Sequence, residues 1–172
     1  MSPLNDILRS WHDFYILIGT ASATLVGLTF VTASIGAAIF RERPHGLRAF
    51  LSPTVVHFST VLIACLIALV PAESPTSLGL LLAGGGLLGL LYGGFVWRAM
   101  IRHGMNIDLE DRLWYAMLPI LGHLLLTMGG LGLVLQAPMG CDLLAVGMGL
   151  LLIAGIRNAW DMTVWIIGRQ AP

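Results

Sequence analysis

Charge is what this sequence has least of. Nine acidic and nine basic side chains make up 10% of its 172 residues, while 57% are hydrophobic and 21 more are glycine. An ordinary soluble domain carries roughly 25% charged residues, so a soluble monomer is excluded unless lipid supplies the missing polar cover. Lysine is absent: all nine basic residues are Arg, a habit of GC-rich bacterial coding that says nothing of mechanism. A net charge of zero gives no reason to expect a nucleic-acid surface or an acidic tail. Only two cysteines occur, Cys65 in an apolar run and Cys141 in a short polar break. Their different expected depths argue against a disulfide framework. Residues 1–13 lack the basic start and apolar run of a cleavable signal, so the first long apolar segment is expected to stay as an anchor.

What is present is apolar sequence, and the rare charges mark it off. Residues 14–40, 49–72, 74–97 and 113–141 contain no Asp, Glu, Lys or Arg. A helix needs about 20 apolar residues to cross roughly 30 Å of hydrocarbon, so each gap holds one span and none holds two. Beyond Asp142 only 143–156 is free of charge before Arg157 and Asp161. The end of the chain is therefore either re-entrant or a helix that carries an Arg and an Asp within the membrane. Arg distribution favours the helix. The first loop holds Arg41, Arg43 and Arg48 and the third holds Arg98, Arg102 and Arg112, whereas the second and fourth hold none. With the amino terminus outside, a fifth span adds Arg169 to the cytoplasmic set and leaves only Arg9 opposite.

The expectation is an all-α polytopic transmembrane bundle, one domain over 1–172, with five spans at about 14–40, 53–70, 77–99, 113–135 and 143–167. Leu4, Leu8, Trp11 and Tyr15 recur at helical spacing and predict a short interfacial helix within 1–13. Pro53 suits the first turn of the second span and Pro71 its stop. Asn106 or Asp108 suits a cap before the fourth span, with Glu110 and Asp111 in its first turn. Pro119 takes a backbone donor from that span and predicts a kink.

Such helices hold together by close packing and interhelical hydrogen bonds, because lipid is as apolar as they are. Gly85, Gly89 and Gly93 in the third span, and Gly19, Ala23 and Gly27 in the first, have the four-residue spacing of packing motifs, as do Ala145 and Gly149 in the fifth. Thr20, Ser22, Thr24, Thr29, Thr32 and Ser34 put six hydroxyls into the first span. They fit an internal helix bonded to its neighbours, or one that lines a wet path.

Five intramembrane polar groups stand apart: His57, His123, Arg157, Asn158 and Asp161. Depths reckoned at about 1.5 Å per residue put Ser34, His57, Arg157, Asn158 and Asp161 in the cytoplasmic leaflet, where they form one candidate polar cluster. Arg157 and Asp161, four residues apart, can pair along the helix, and Trp160 and Trp165 can mark the interface. An inwardly facing cluster of this kind marks an ion or proton relay or a ligand site; a snorkelling ion pair or a polar packing clamp would use the same residues. His123 is a secondary candidate nearer the bilayer centre. A b-type haem on His57 and His123 is disfavoured by a depth difference reckoned at roughly 9 Å, and no other cofactor is expected. No metal-ligand spacing and no catalytic triad can be assembled from the sequence, so enzyme chemistry is not the expectation.

The run 14–31 (FYILIGTASATLVGLTFV), the PTVVHF segment at 53–58 and the RNAWD segment at 157–161 together resemble small multi-spanning bacterial inner-membrane proteins to which no activity is assigned. The resemblance implies a bacterial inner (plasma) membrane protein and singles out the same polar residues. Two functions follow from the residues: a homo-oligomeric channel or transporter for an ion or small solute, or a non-catalytic subunit whose Gly-rich third helix docks on a larger membrane complex.

Overall fold

The computed structural model describes residues 3–39, 44–70, 74–102 and 109–168. They form α1 (Pro3–Ser10), α2 (His12–Ile39), α3 (Pro44–Ala68), α4 (Pro75–Arg102), α5 (Leu109–Arg112), α6 (Leu118–Val134) and α7 (Met139–Gly168), with no strand among the described residues. Arg41, Arg43, Pro71, Glu73, Asn106, Asp108 and Arg169, used above for loops, helix stops, caps and orientation, lie outside the described residues, as do the side chains of Leu4, Arg48, Asp111 and Trp165.

Four stretches, His12–Ile35, Pro75–Arg102, Leu113–Val134 and Met139–Val164, are long and apolar enough to cross a membrane. Their outer faces carry exposed Leu17, Phe30, Leu88, Leu91 and Phe95, a surface suited to lipid. The architecture is compatible with an integral membrane protein. The segment expected at 143–167 is part of one continuous helix of 30 residues, α7, and not a re-entrant turn. The second expected span is the short one, its apolar stretch being Pro53–Ala68. Pro53 does not start that helix: α3 begins at Pro44 and runs through Pro53. Pro44 occupies the first turn, where a missing N–H is least costly.

Before Pro119 the chain makes a π-helical turn over Leu113–Met117. Proline has no N–H to give the carbonyl four residues back, and a wider turn is one way for a helix to absorb that loss. The expected irregularity is thus a π turn. At its other end α6 stops in a Schellman motif: Gln136 N–H donates to the Leu133 carbonyl and Ala137 N–H to the Gly132 carbonyl at 2.8 Å. Gln136 takes the left-handed conformation, with φ 58°, and Pro138 ends the turn. The result is a tight α6–α7 hairpin.

α4 packs on α6, α6 on α7, α7 on α3 and α3 on α2; the row curls until α3 also touches α4. α3 and α4 meet less closely and leave an apolar cleft of about 320 Å³ lined by Val56, Thr60, Ile67, Leu82, Gly85 and Tyr92. On α4 the glycines that meet α6 are Gly79, Gly86, Gly89 and Gly93: an added Cβ would come within 2.5 Å of the Gly130 carbonyl at Gly79 and of Thr127 Oγ1 at Gly86. Gly79, Gly86 and Gly93 are seven residues apart. That spacing keeps them on one seam, whereas a four-residue step drifts around a helix of 3.6 residues per turn. Of the four-residue motif on α4, Gly89 and Gly93 do meet α6 and Gly85 does not, and Gly149 on α7 likewise has nothing within 4 Å of an added Cβ. Gly85 and Gly27 have nothing within 4 Å of an added Cβ and Ala23 is exposed, while Gly19 does sit against Cys65 Cβ at 3.0 Å.

The core between these helices is built from Phe58, Val61, Leu126, Leu133, Leu144, Met148 and Leu151. Phe58 lies over Gly155, where an added Cβ would stand 2.5 Å from Cε1. α1 turns Ile7 and Leu8 onto the same core. The hydroxyls of α2 serve mainly their own helix: Thr24, Thr32 and Ser34 donate to the carbonyls of Thr20, Leu28 and Phe30, and Thr29 to that of Val26. Ser22 alone among them reaches across, donating to the Phe58 carbonyl at 2.6 Å.

Candidate functional site

His57 and His123 come from helices on opposite sides of the bundle core, α3 and α6, yet their ring centroids are 5.8 Å apart with planes inclined at 56°. The separation reckoned from sequence, which counted backbone rise alone, is corrected here. His123 Nδ1 lies 2.7 Å from the Pro119 carbonyl, four residues back, so the ring folds along α6 toward His57 and closes the axial gap. Both rings are buried, His57 at 2% exposure and His123 at 0%.

The hydrogen bonding of the pair is incomplete. A carbonyl can only accept, so His123 Nδ1 carries the proton of that bond and, in the neutral ring, Nε2 presents a lone pair. Among the described residues Nε2 has no partner, and neither has Nδ1 or Nε2 of His57. α4 runs against the same edge of His123, for a Cβ on Gly89 would fall 2.3 Å from Nε2. Any larger residue at Gly89 would thus displace the imidazole.

One turn along α7 from Gly155, which seats Phe58, Asn158 is fully buried and neither atom of its amide has a partner among the described residues. Beside it in sequence, Arg157 donates through Nη1 to Asp161 Oδ1 and through Nη2 to Glu110 Oε1, the latter at 3.1 Å. Exposure rises along this set, from Asn158 at 0% to side chains of 28% at Asp161, 35% at Arg157 and 67% at Glu110. The polar residues therefore grade from the open end of α7 into the core. Ser34 is not among them: it is exposed and bonded to its own helix.

Three further features lay beyond the sequence reading. Glu110, read as part of an acidic first turn, is the second carboxylate on Arg157. Cys65 Sγ lies 3.9 Å from Met148 Sδ in the core, and both cysteines are free and buried. The hydroxyl of Tyr15 is buried without a hydrogen-bond partner. Nothing in local spacing joins residues 65 and 148; only the antiparallel packing of α3 on α7 does. No cluster of three or more His, Cys, Asp or Glu suited to a metal ion occurs among the described residues. Comparison of the chain with protein-family profiles, with curated proteins and with solved structures gives no match in any of the three.

Proposed function

We propose that this chain is a bacterial inner-membrane protein that carries a small cation through its core by way of the His57 and His123 pair. In this reading α2, α3, α4, α6 and α7 cross the membrane, with the amino terminus outside, the carboxyl terminus in the cytoplasm, and α1 lying in the interface. Asp161, Glu110 and Arg157, with buried Asn158 beside them in sequence, form the cytoplasmic approach in this reading. The observation that carries the proposal is the pair itself, two buried rings in contact range with three nitrogens unpartnered. Each unsatisfied buried polar group costs about 1–3 kcal/mol, which an apolar side chain of similar size would avoid. Intramembrane ionisable residues kept at such a cost belong by default to ion and proton pathways.

The test is flux into liposomes that hold the purified protein, run in turn for H⁺, Na⁺, K⁺ and a soft monovalent metal ion. At least one cation should enter, with the flux falling at least tenfold in His57→Leu and His123→Leu. A leak equal to that of empty liposomes across the panel overturns the proposal. Reporter fusions test the orientation: a carboxyl-terminal fluorescent protein should fold, and a periplasm-dependent phosphatase at the same place should stay inactive.

One observation favours the second reading, an accessory role. Gly84, Gly85 and Gly94 on α4 meet nothing within 4 Å of an added Cβ, so bare backbone is open to another helix. A second copy of the chain or a subunit of a larger complex would fit. Cross-linking from Gly84→Cys in native membranes separates the two by the mass of the product.

A further inference from the structure

We infer that His57 and His123 hold a single soft monovalent metal ion, of the Cu(I) or Ag(I) kind, between their rings. The inference rests on the proposed cation path and names its cargo. A shared ion about 2 Å from one facing nitrogen of each ring requires centroids about 6 Å apart, and the observed 5.8 Å meets that requirement while also lying within ordinary ring contact. His123 is prepared as a ligand. Its Nδ1 is held by the Pro119 carbonyl, the outer contact that fixes tautomer and ring direction in metal-bound histidines and leaves Nε2 to bind. His57 has both nitrogens to offer.

The donor set selects the ion. Two neutral imidazoles with no third His, Cys, Asp or Glu gathered beside them among the described residues cannot satisfy Zn²⁺, which takes four ligands, or the hard cations, which take six or more oxygens. Charge points the same way, because the cost of burying an ion scales with the square of its charge and is roughly fourfold larger for a divalent ion. Two-coordinate d¹⁰ ions of single charge remain. A haem iron would also accept two axial imidazoles, but α4 lies against the ligating edge of His123, with a Gly89 Cβ only 2.3 Å from Nε2. A macrocycle centred there would run into α4, and a bare ion asks for far less room.

The neighbouring polar pair has matching chemistry. Cys65 and Met148, Sγ to Sδ 3.9 Å, lie about 12 Å further along α3 by helical rise. A thiol beside a thioether is a poor proton relay and a good second station for a soft ion.

The experiment is an anaerobic Cu(I) titration of the full-length protein in detergent against a colorimetric chelator, with Ag(I) measured in parallel by equilibrium dialysis. One equivalent of Cu(I) per chain should resist the chelator. Its affinity should fall at least tenfold in His57→Gln and in His123→Gln and persist in Cys65→Ala. X-ray absorption of the Cu(I)-loaded wild-type protein should show a two-coordinate nitrogen shell, a readout that does not depend on the variants folding. No retained Cu(I), equal retention in both histidine variants, or a sulfur-only shell overturns the inference. Proton or K⁺ flux in liposomes without Cu(I) binding would refute the metal site and leave conduction standing. Cu(I) binding without any flux would do the reverse.

Discussion

Replacing Gly89 by Ala tests the packing that sets the histidine pair. The added Cβ would lie 1.7 Å from His123 Cδ2, 2.3 Å from Nε2 and 2.5 Å from Cγ, where carbon atoms normally rest at about 3.5–4.0 Å. The imidazole edge must therefore retreat by about 2 Å. It can do so only by giving up its Nδ1 bond to the Pro119 carbonyl or by pushing α4 from α6, which loosens the close contacts at Gly86 and Gly93 as well. Overpacking of this kind costs about 1–3 kcal/mol, and the lost hydrogen bond adds about 0.5–1.5 kcal/mol. The expected loss is about 2–4 kcal/mol, a change of about thirtyfold or more in the unfolding equilibrium. Gly84→Ala, on the same helix with open space around it, is the control. Unfolding in mixed micelles with rising SDS, followed by tryptophan fluorescence, reads both variants. If Gly89→Ala unfolds at the same SDS fraction as Gly84→Ala, the placement of His123 against α4 is wrong.

Other expectations follow from single contacts. Ser22→Ala removes the hydroxyl bond from α2 to the Phe58 carbonyl and should destabilise by about 0.6–1.7 kcal/mol, while Thr24→Ala, bonded within its own helix, should be near neutral in the same SDS assay. Asp161→Asn leaves the half-buried Arg157 with Glu110 as its one carboxylate among the described residues; the loss should fall between the ~1 kcal/mol of an exposed pair and the ~3–5 kcal/mol of a buried one. Glu110→Gln, at an exposed partner, should cost no more than about 1 kcal/mol, so equal losses at the two sites would refute the graded burial. Gln136→Gly relieves a left-handed residue and should raise stability by about 1 kcal/mol, seen as a higher thermal midpoint in detergent.

Several helical segments were legible because charge is scarce: Arg98 and Arg102 close α4, Arg112 precedes α6, and the uncharged runs 14–40, 74–97 and 113–141 fall on α2, α4 and α6, whereas α3 takes in Arg48 and α7 takes in Asp142, Arg157 and Asp161. Where charge was silent the reading slipped. Pro53 looked like a helix start, but Pro44 supplies one nine residues earlier and α3 tolerates Pro53 in its interior. The Arg157 and Asp161 pair was readable from its spacing, whereas Glu110 joins it from another segment and leaves no periodic trace. Glycine spacing was visible without its meaning, since several glycine rows overlap on α4 and only contact with α6 selects Gly79, Gly86, Gly89 and Gly93. His57 and His123 were both singled out, but their meeting depends on a side-chain turn toward Pro119 that a count of helical rise omits.

The seating of α3 on α7 also bears on how the protein is made. Phe58 waits for Gly155, and Cys65 for Met148, partners that leave the ribosome some eighty to a hundred residues later. At about 5–20 residues per second this is a delay of about 4–20 s. Through that interval His57 stands on an α3 that lacks the α7 half of its surroundings. α7 is thus the helix that completes the packing of α3, and that face of α3 is sealed only when a segment made much later folds back against it.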